Sequence, residues 1–417
     1  MRVLVLDGNE NQAVACVRSL ARVGYQVRVG APTTWSKAGW SRDCSGTFRY
    51  PAPEQGKEAF VECIVEELRR SAGAILLPMT ERTTLPLSLH RDLVVAAGGR
   101  IVLPPHETVL RAFDKQETTR LAQSLGIAVP ETTRIIDYPH ACELAHSICY
   151  PVVLKPRSSE EISSTGRVTP TGRPLYACNA QQFMVAYCQL RARGSHVLTQ
   201  EFIEGVGSGY FALMRHGRLL AEFGHRRIRD IHPTGSGSSV RVSVKPDPKL
   251  RDAGLAILQA LNWSGVAMVE FRVRSDGTPV FMEVNGRFWV SLALAVYAGI
   301  DFPVLLASVA EESDVSSPHD YRVGVRCRWL LGDLRHLIEV WRGAPVGYPG
   351  KFPGRLATLA SVLIPVPGTF HDNFSWRDPL PELGDWLDFG LRRLPRQVTS
   401  KLTTRKEKSA QGRYAHT

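Results

Sequence analysis

The chain opens on Val3-Leu4-Val5-Leu6, an apolar run of strand length, and turns polar at Asp7-Gly8-Asn9-Glu10. Val14, Val17 and Leu20 follow at helical spacing, with Gly24 as a stop. Residues 2–7 therefore predict a buried strand and residues 10–23 an amphipathic helix. "YQVRVGA" predicts a second strand, and strand–helix–strand in this order predicts a parallel pair. A helix over 57–70 and the strand "AILLPMT" at 74–80 extend the alternation. Thr80 and Glu81 then sit at a strand's carboxyl end, where open α/β sheets hold ligands. A second unit begins near residue 105. It comprises a helix at 114–125, the strand "PVVLKP" at 151–156, a Ser/Gly-rich loop from Ser158 to Gly166 and "HVLTQEFIEG" at 196–205. Strands are expected at 210–223 and 239–245, and helices at 252–262 and 302–312. Beyond about 320 the pattern gives way to Pro/Gly-punctuated, Trp-containing sequence with no assignable fold.

The stretch "VAMVEFRVRSDGTPVFMEVN" is two β-rich runs around Asp276-Gly277, a strong hairpin signal. A two- or four-residue turn pairs Val273 with Val280, Phe271 with Met282 and Val269 with Val284, which makes one apolar face. The other face sets Glu270 against Glu283 and Met268 against Asn285, with Arg287 further along. Like charges directly opposite disfavour pairing by roughly 0.2–1 kcal/mol, and half-burial sharpens the conflict. A hard divalent cation between the carboxylates removes it, with Asn285 adding a third oxygen. The competing account is a solvated face on which Arg287 or Arg272 neutralises an acid.

Composition narrows the class. With 417 residues, 44% hydrophobic and 22% charged, the chain reads as a globular protein of two or three domains. No basic n-region with a cleavage site opens it, and its longest apolar stretch is broken by Asp301 and Pro303, so a cytoplasmic enzyme is expected. Eight scattered cysteines, without a Cys-x-x-Cys, fit a reducing compartment and no structural zinc. The formal charge is +11, but residues 392–417 hold eight Lys/Arg and one acid, leaving +4 for the rest. Such a tail is either simply solvated or makes weak contact with the anionic lipid of a membrane surface or with nucleic acid; specific nucleic-acid binding is not expected of the core. The first turn lacks Gly-x-Gly-x-x-Gly, which argues against a dinucleotide-dependent dehydrogenase.

Other polar residues interrupt apolar runs where a metal–nucleotide site would need them. Lys155 ends "VVLK", out of pattern for a buried structural strand, and its compact charge suits phosphate oxygens. Lys115 lies at a helix start, a favourable place for phosphate. The backbone of "TQEFIEG" offers an edge to adenine, with Phe202 or Ile203 packing beside it.

In order, "DKQETTRLAQSLGIAVPET", "YPVVLKP" with its Ser/Gly flap, "TQEFIEG", "VAMVEFRV" and "FMEVNGRFW" resemble the ATP-grasp superfamily over roughly residues 1–310. The tracts "FGHRRIRDIHPTGSGSS" and "NGRFWVSLALAVYAGIDFP" look most like its carboxylate–amine ligase-like, carbamoyl-phosphate-synthase-like branch. That resemblance implies an α/β architecture: a Rossmann-like pre-ATP-grasp domain over 1–105, then a two-subdomain α+β ATP-grasp domain over 106–315 split near 205. A C-terminal extension over 316–390 and a basic tail over 391–417 would follow. It further implies that Lys115 and Lys155 hold ATP phosphates, and that Gln200, Glu201 and Ile203 meet adenine. Glu270, Glu283 and Asn285 would hold Mg²⁺ (or Mn²⁺), and Arg287 would face the acyl phosphate or substrate carboxylate. His225, Arg226, Arg227 and Arg229 would form a basic substrate loop, with Arg227, Arg287 and Lys155 in catalytic roles. Two positions depart from the family pattern. Gly207 stands near the place of the usual ribose acid, for which Glu204 is the substitute, and Asn-Gly-Arg replaces Asn-Pro-Arg at 285–287. The implied activity is ATP-dependent ligation of a small-molecule carboxylate to an amine. The alternatives are an ATP-binding regulator without turnover, or a phosphorylating or carboxylating enzyme on the same platform.

Overall fold

Val3, Leu4 and Val5 are wholly buried because their strand has protein on both faces. In the computed structural model, which describes residues 1–157, 160–162, 168–170, 173–193, 196–313, 315 and 320–391, Arg2–Val5 is an inner strand of a four-stranded sheet. Its order is Gly46–Arg49, Gln26–Ala31, Arg2–Val5, Ile75–Leu77, and all pairs are parallel. Val3 and Val5 pack on helix Asn11–Arg22 through Ala13, Val14 and Val17, while Leu4 and Leu6 pack on helix Lys57–Arg70 through Phe60, Ile64 and Leu68. The unbroken apolar run is the signature of that double burial. Gly24, at φ +94°, ends the first helix.

A small antiparallel sheet follows, ordered Thr132–Arg134, Val197–Glu201, Val152–Pro156, Leu175–Ala177. Helices Tyr138–Ser147 and Ala180–Arg191 cover one face, where Val152 and Leu154 are buried against Phe183 and Leu190. Val153 and Lys155, one residue out of phase, point to the other face. Of the flap expected over 158–166, only 160–162 are described, as a strand paired antiparallel with 168–170; the remainder, like the tail over 392–417, lies outside the described residues.

The third sheet has seven strands: Pro279–Asn285, Gly265–Val273, Val206–Arg215, Arg218–His232, Ser236–Ser243, Arg326–Arg328 and Thr369–His371. The strand expected over 210–223 is in fact a hairpin, because His216 and Gly217 both take positive φ, the geometry of a tight turn. "YFALM" at 210–214 is apolar throughout because both faces are covered. Tyr210, Ala212 and Met214 meet helix Pro248–Ala260, whereas Phe211 and Leu213 join Leu292, Leu294 and Phe302. Residues 326–328 and 369–371 complete the far edge, so part of the stretch beyond 320 belongs to this sheet.

The hairpin at its other edge corrects one expectation. Arg274 and Thr278 close a three-residue loop, with Gly277 at φ +84°, which shifts the register by one. Val273 therefore faces Pro279 and Phe271 faces Phe281, rather than Val280 and Met282. A bulge at Met282 then takes up one residue, and Glu270 again faces Glu283, with Val269 opposite Val284 and Met268 opposite Asn285.

Candidate active site

A cavity of about 760 Å³ lies between the small sheet and the seven-stranded sheet. Lys115, Lys155, Gln200, Glu270 and Glu283 all line it. Burial explains both the position and the chemistry of Lys155, which is 7% exposed. Desolvation pushes its ammonium down to about 8, helped by Lys115 and opposed by Glu283 and Glu270. Lys115 opens helix Lys115–Ser124, whose N-cap Asp114 accepts from the backbone of Gln116 and Glu117. Asp114 also receives Arg157 Nε at 2.8 Å, which fixes the strand end beside the helix start.

Each facing glutamate has its own cation. Arg227 lies 2.7 Å from Glu270, and Lys115 Nζ lies 3.5 Å from Glu283. Burial raises Glu270, with Arg227 opposing and Glu283 reinforcing the shift. Burial would raise Glu283 too, but Lys115 and Lys155 outweigh it and hold that carboxyl below its usual value. In the competing account Arg287 or Arg272 neutralises an acid; Arg287 adds only a lesser lowering at Glu283, behind Lys115 and Lys155. Arg272 instead donates to the carbonyls of Ile203 and Thr234, at 3.3 and 3.2 Å, binding the 203–205 linker to the turn at 232–236. Glu283 Oε1 accepts from Asn285 at 3.3 Å, and Asn285 Oδ1 accepts from Arg287 at 3.2 Å. Arg287 continues to Glu81 at 3.8 Å, so the carboxyl end of strand Ile75–Leu77 is brought to the same chain of contacts. Glu270, Glu283 and Asn285 offer the hard oxygen donors that Mg²⁺ or Mn²⁺ takes.

The adenine-side residues divide. Gln200 and Ile203 line the cavity, but the Gln200 amide is committed to Thr132 and the Ile203 carbonyl to Arg272. Glu201 also lines it, with its carboxylate turned to Arg274 at 3.0 Å. Glu204 is exposed and does not reach the cavity. Gly207 has a spatial cause: a Cβ there would lie 2.9 Å from Cδ of Arg227, so an acid at this position collides with the partner of Glu270.

The basic loop expected at 225–229 is a strand, and its side chains diverge. His225 is 1% exposed, packed 4.6 Å from the Phe211 ring, with neither ring nitrogen hydrogen-bonded among the described residues. Burial, with Arg227 and Arg241 adding to it, holds its imidazole well below the ordinary value, so it is a neutral core ring. Arg226 is exposed, and Arg229 pairs with Asp333 at 2.6 Å. Only Arg227 reaches the acidic hairpin.

Asn-Gly-Arg at 285–287 is likewise a matter of space. A Cβ on Gly286 would stand 2.3 Å from the ring of fully buried Trp263, so proline does not fit. Gly286→Ala is expected to destabilise the protein by about 1–3 kcal/mol through overpacking, measured by urea unfolding; an unchanged midpoint contradicts this account.

Sequence reasoning missed the aromatic wall. Phe352 and Tyr176 line the cavity, and Tyr348 packs on Tyr176 and Phe202 at ring separations of 4.9 and 5.8 Å. The available signal was "GYPGKFPG", two aromatics held in a Gly/Pro-rich frame.

No family model matches the chain. Among curated proteins it is 22% identical over 254 residues to the carbamoyl phosphate synthase large chain of Pyrococcus furiosus, covering 57% of this chain and 23% of that one. It is 24% identical over 236 residues to the formate-dependent phosphoribosylglycinamide formyltransferase of Ignicoccus hospitalis, covering 54% and 56%. The chain thus spans less than two thirds of either relative. Among solved structures, biotin carboxylase from Campylobacter jejuni gives a TM-score of 0.59 at 16% identity, covering 78% of this chain and 74% of that one. N5-carboxyaminoimidazole synthetase from Staphylococcus aureus gives 0.59 at 12%, covering 78% and 80%. L-amino acid ligase from Bacillus licheniformis gives 0.53 at 16%, covering 74% and 73%. The resemblance read in the sequence therefore holds at the level of architecture: this chain has the ATP-grasp fold.

Proposed function

We propose that the protein is a Mg²⁺-dependent ligase that spends ATP to join a small-molecule carboxylate to an amine. The observation that carries this reading is the pair Glu270–Glu283, face to face on the cavity wall with Lys115 and Lys155 beside them. Two acids and two lysines around one cavity match a triphosphate with its metal. Residues 1–105 are read as the pre-ATP-grasp domain, 106–315 as the ATP-grasp domain, and 316–390 as an extension that adds a wall to the nucleotide cavity.

Lys155 and Lys115 hold phosphate oxygens, while the strand end at 200–203 and the aromatic wall receive the base. Glu270, Glu283 and Asn285 would hold Mg²⁺, which when bound neutralises charge on the β- and γ-phosphates. A substrate carboxylate oxygen attacks the γ-phosphorus, the bond to the β-phosphate oxygen breaks, and ADP leaves with that electron pair. The amine nitrogen then attacks the acyl carbon, inorganic phosphate departs and the amine proton passes to solvent. Arg287, tied to Asn285 and Glu81, would orient the carboxylate, a role its contacts support. Positioning and charge supply most of the rate.

The test is phosphate release from ATP and Mg²⁺ with a panel of carboxylates and amines. Release that needs both partners supports the ligase. Release driven by bicarbonate alone, a stable phosphorylated product, or ATP binding without turnover across the panel replaces it with the carboxylating, phosphorylating or regulatory reading.

The lowered pKa of Lys155 makes a second prediction. A lysine depressed from 10.5 to about 8 is protonated in the free protein below pH 8 and ready for phosphate. Above that, ATP must bind together with a proton, and affinity falls by up to about tenfold per pH unit until the bound-state value is reached. Lys155→Arg keeps its charge and flattens this limb. Calorimetric titrations between pH 7 and 9.5 read it, and a pH-independent wild-type Kd contradicts the assignment. In stability the sign is opposite to a paired lysine. The folded state prefers the neutral amine, so the destabilisation is complete below about 8 and fades as pH rises towards 10.5.

A further inference from the structure

Helix Leu380–Leu391 is inside out. Its buried side carries two acids, Glu382 and Asp385, each 6% exposed. Its outward side carries Leu380, Leu383, Trp386 and Leu387, at 48, 50, 38 and 42% exposure. The polar side is inward because buried donors claim Asp385. Asp385 accepts from Lys37 at 2.9 Å, Trp329 Nε1 at 2.6 Å and Asn373 at 3.0 Å, and Glu382 accepts from Trp386 Nε1 at 2.7 Å. With this side fixed by the Lys37–Asp385 ion pair and these hydrogen bonds, the apolar stripe at i, i+3, i+6 and i+7 faces solvent. Trp376, just before the helix, is 89% exposed.

We propose that this face docks on an anionic lipid bilayer surface. The apolar stripe would sit at the headgroup boundary, with Trp386 and Trp376 in the zone that tryptophan favours. The chain supplies the electrostatic half itself. Immediately after Leu391 in the sequence come 26 residues, 392–417, with eight Lys/Arg and one acid, beginning Arg392-Arg393. Basic segments beside an apolar face gain from anionic headgroups, and neither signal alone anchors firmly. The same charge argues against a second copy as occupant, because a two-fold contact on this face would bring two +7 tails to one interface. The proposal does not depend on the catalytic reading.

The experiment uses the full chain with phosphatidylcholine vesicles, with and without phosphatidylserine, read by co-sedimentation and by quenching of tryptophan emission with brominated lipids. The unmodified chain is expected to bind the phosphatidylserine vesicles and to be quenched. Leu383→Glu with Leu387→Glu should weaken binding roughly tenfold or more. Arg392→Glu with Arg393→Glu should weaken it roughly fivefold per residue. Absence of vesicle binding overturns the proposal, as does binding that ignores the leucine changes and follows the tail alone. A dimer in solution that the leucine changes convert to monomers, without lipid binding, assigns the face to a second copy instead. Should the leucine variant fail to fold, quenching of the unmodified chain still decides, and its absence is a negative result.

Discussion

Glu283→Gln is expected to leave the fold intact and to lower ADP formation on the order of 10³-fold, the scale of losing several kcal/mol of metal-based charge stabilisation. The two effects separate because the acid contributes modestly to the empty protein through its lysine partners, whereas the proposed chemistry needs it to hold the metal. Without nucleotide, Glu283 faces Glu270 across the hairpin and contributes to keeping that buried carboxyl's pKa raised. Neutralising it relieves the like-charge contact but removes the anion that Lys115 and Lys155 stabilise, so the unfolding midpoint should fall slightly while the fold is kept. Lys115 loses a partner at 3.5 Å but keeps its place at the start of a capped helix. The Mg²⁺ dependence of ATP binding should weaken in parallel with turnover. Near-normal ADP release, or a collapse of stability without a specific metal effect, removes Glu283 from the assigned role.

The second large effect is structural. Asp372→Asn is expected to destabilise the protein by about 3–5 kcal/mol, because it strands a buried guanidinium. Arg241 and Asp372 form an ion pair with no side-chain exposure on either partner. Arg241 also donates to the carbonyl of Ser238 at 3.2 Å, and Asp372 accepts from Cys327 and from Asn11 Nδ2 at 3.4 Å. This one carboxylate thus joins the seven-stranded sheet, the segment after its outermost strand and the first helix of the N-terminal sheet. Replacing both partners, Arg241→Met with Asp372→Leu, should recover much of the loss, since an apolar pair carries no desolvation penalty. Urea unfolding of the single and double variants tests this. Equal losses in the two show that packing, rather than the stranded charge, dominates.

Much of the site was legible because strands alternate. Glu270, Glu283 and Asn285 fell on one face by counting in twos, and Lys155 stood out as a charge ending an apolar run. The register itself was reached through two shifts that cancel, a three-residue loop and a bulge at Met282. Both depend on local backbone geometry that composition does not encode. The tract "HRRIR" reads as an exposed basic loop, yet His225 is buried, because Phe211 on the adjoining strand supplies its packing partner. Beyond 320 the strands at 326–328 and 369–371 are three residues long, too short to show alternation. The first pairs with Val240–Val242, more than eighty residues earlier, and no local pattern announces such a partner.

The aromatic wall also bears on kinetics. Tyr348, from the last third of the chain, leans edge-on against Tyr176 and Phe202, both on the small-sheet side of the cleft. If the proposed nucleotide enters or leaves by movement of that sheet, both ring contacts would have to part, each worth about 0.5–1.5 kcal/mol. On the proposed reading Tyr348 would act as a latch, setting the residence time of ADP from a loop in the last third of the chain.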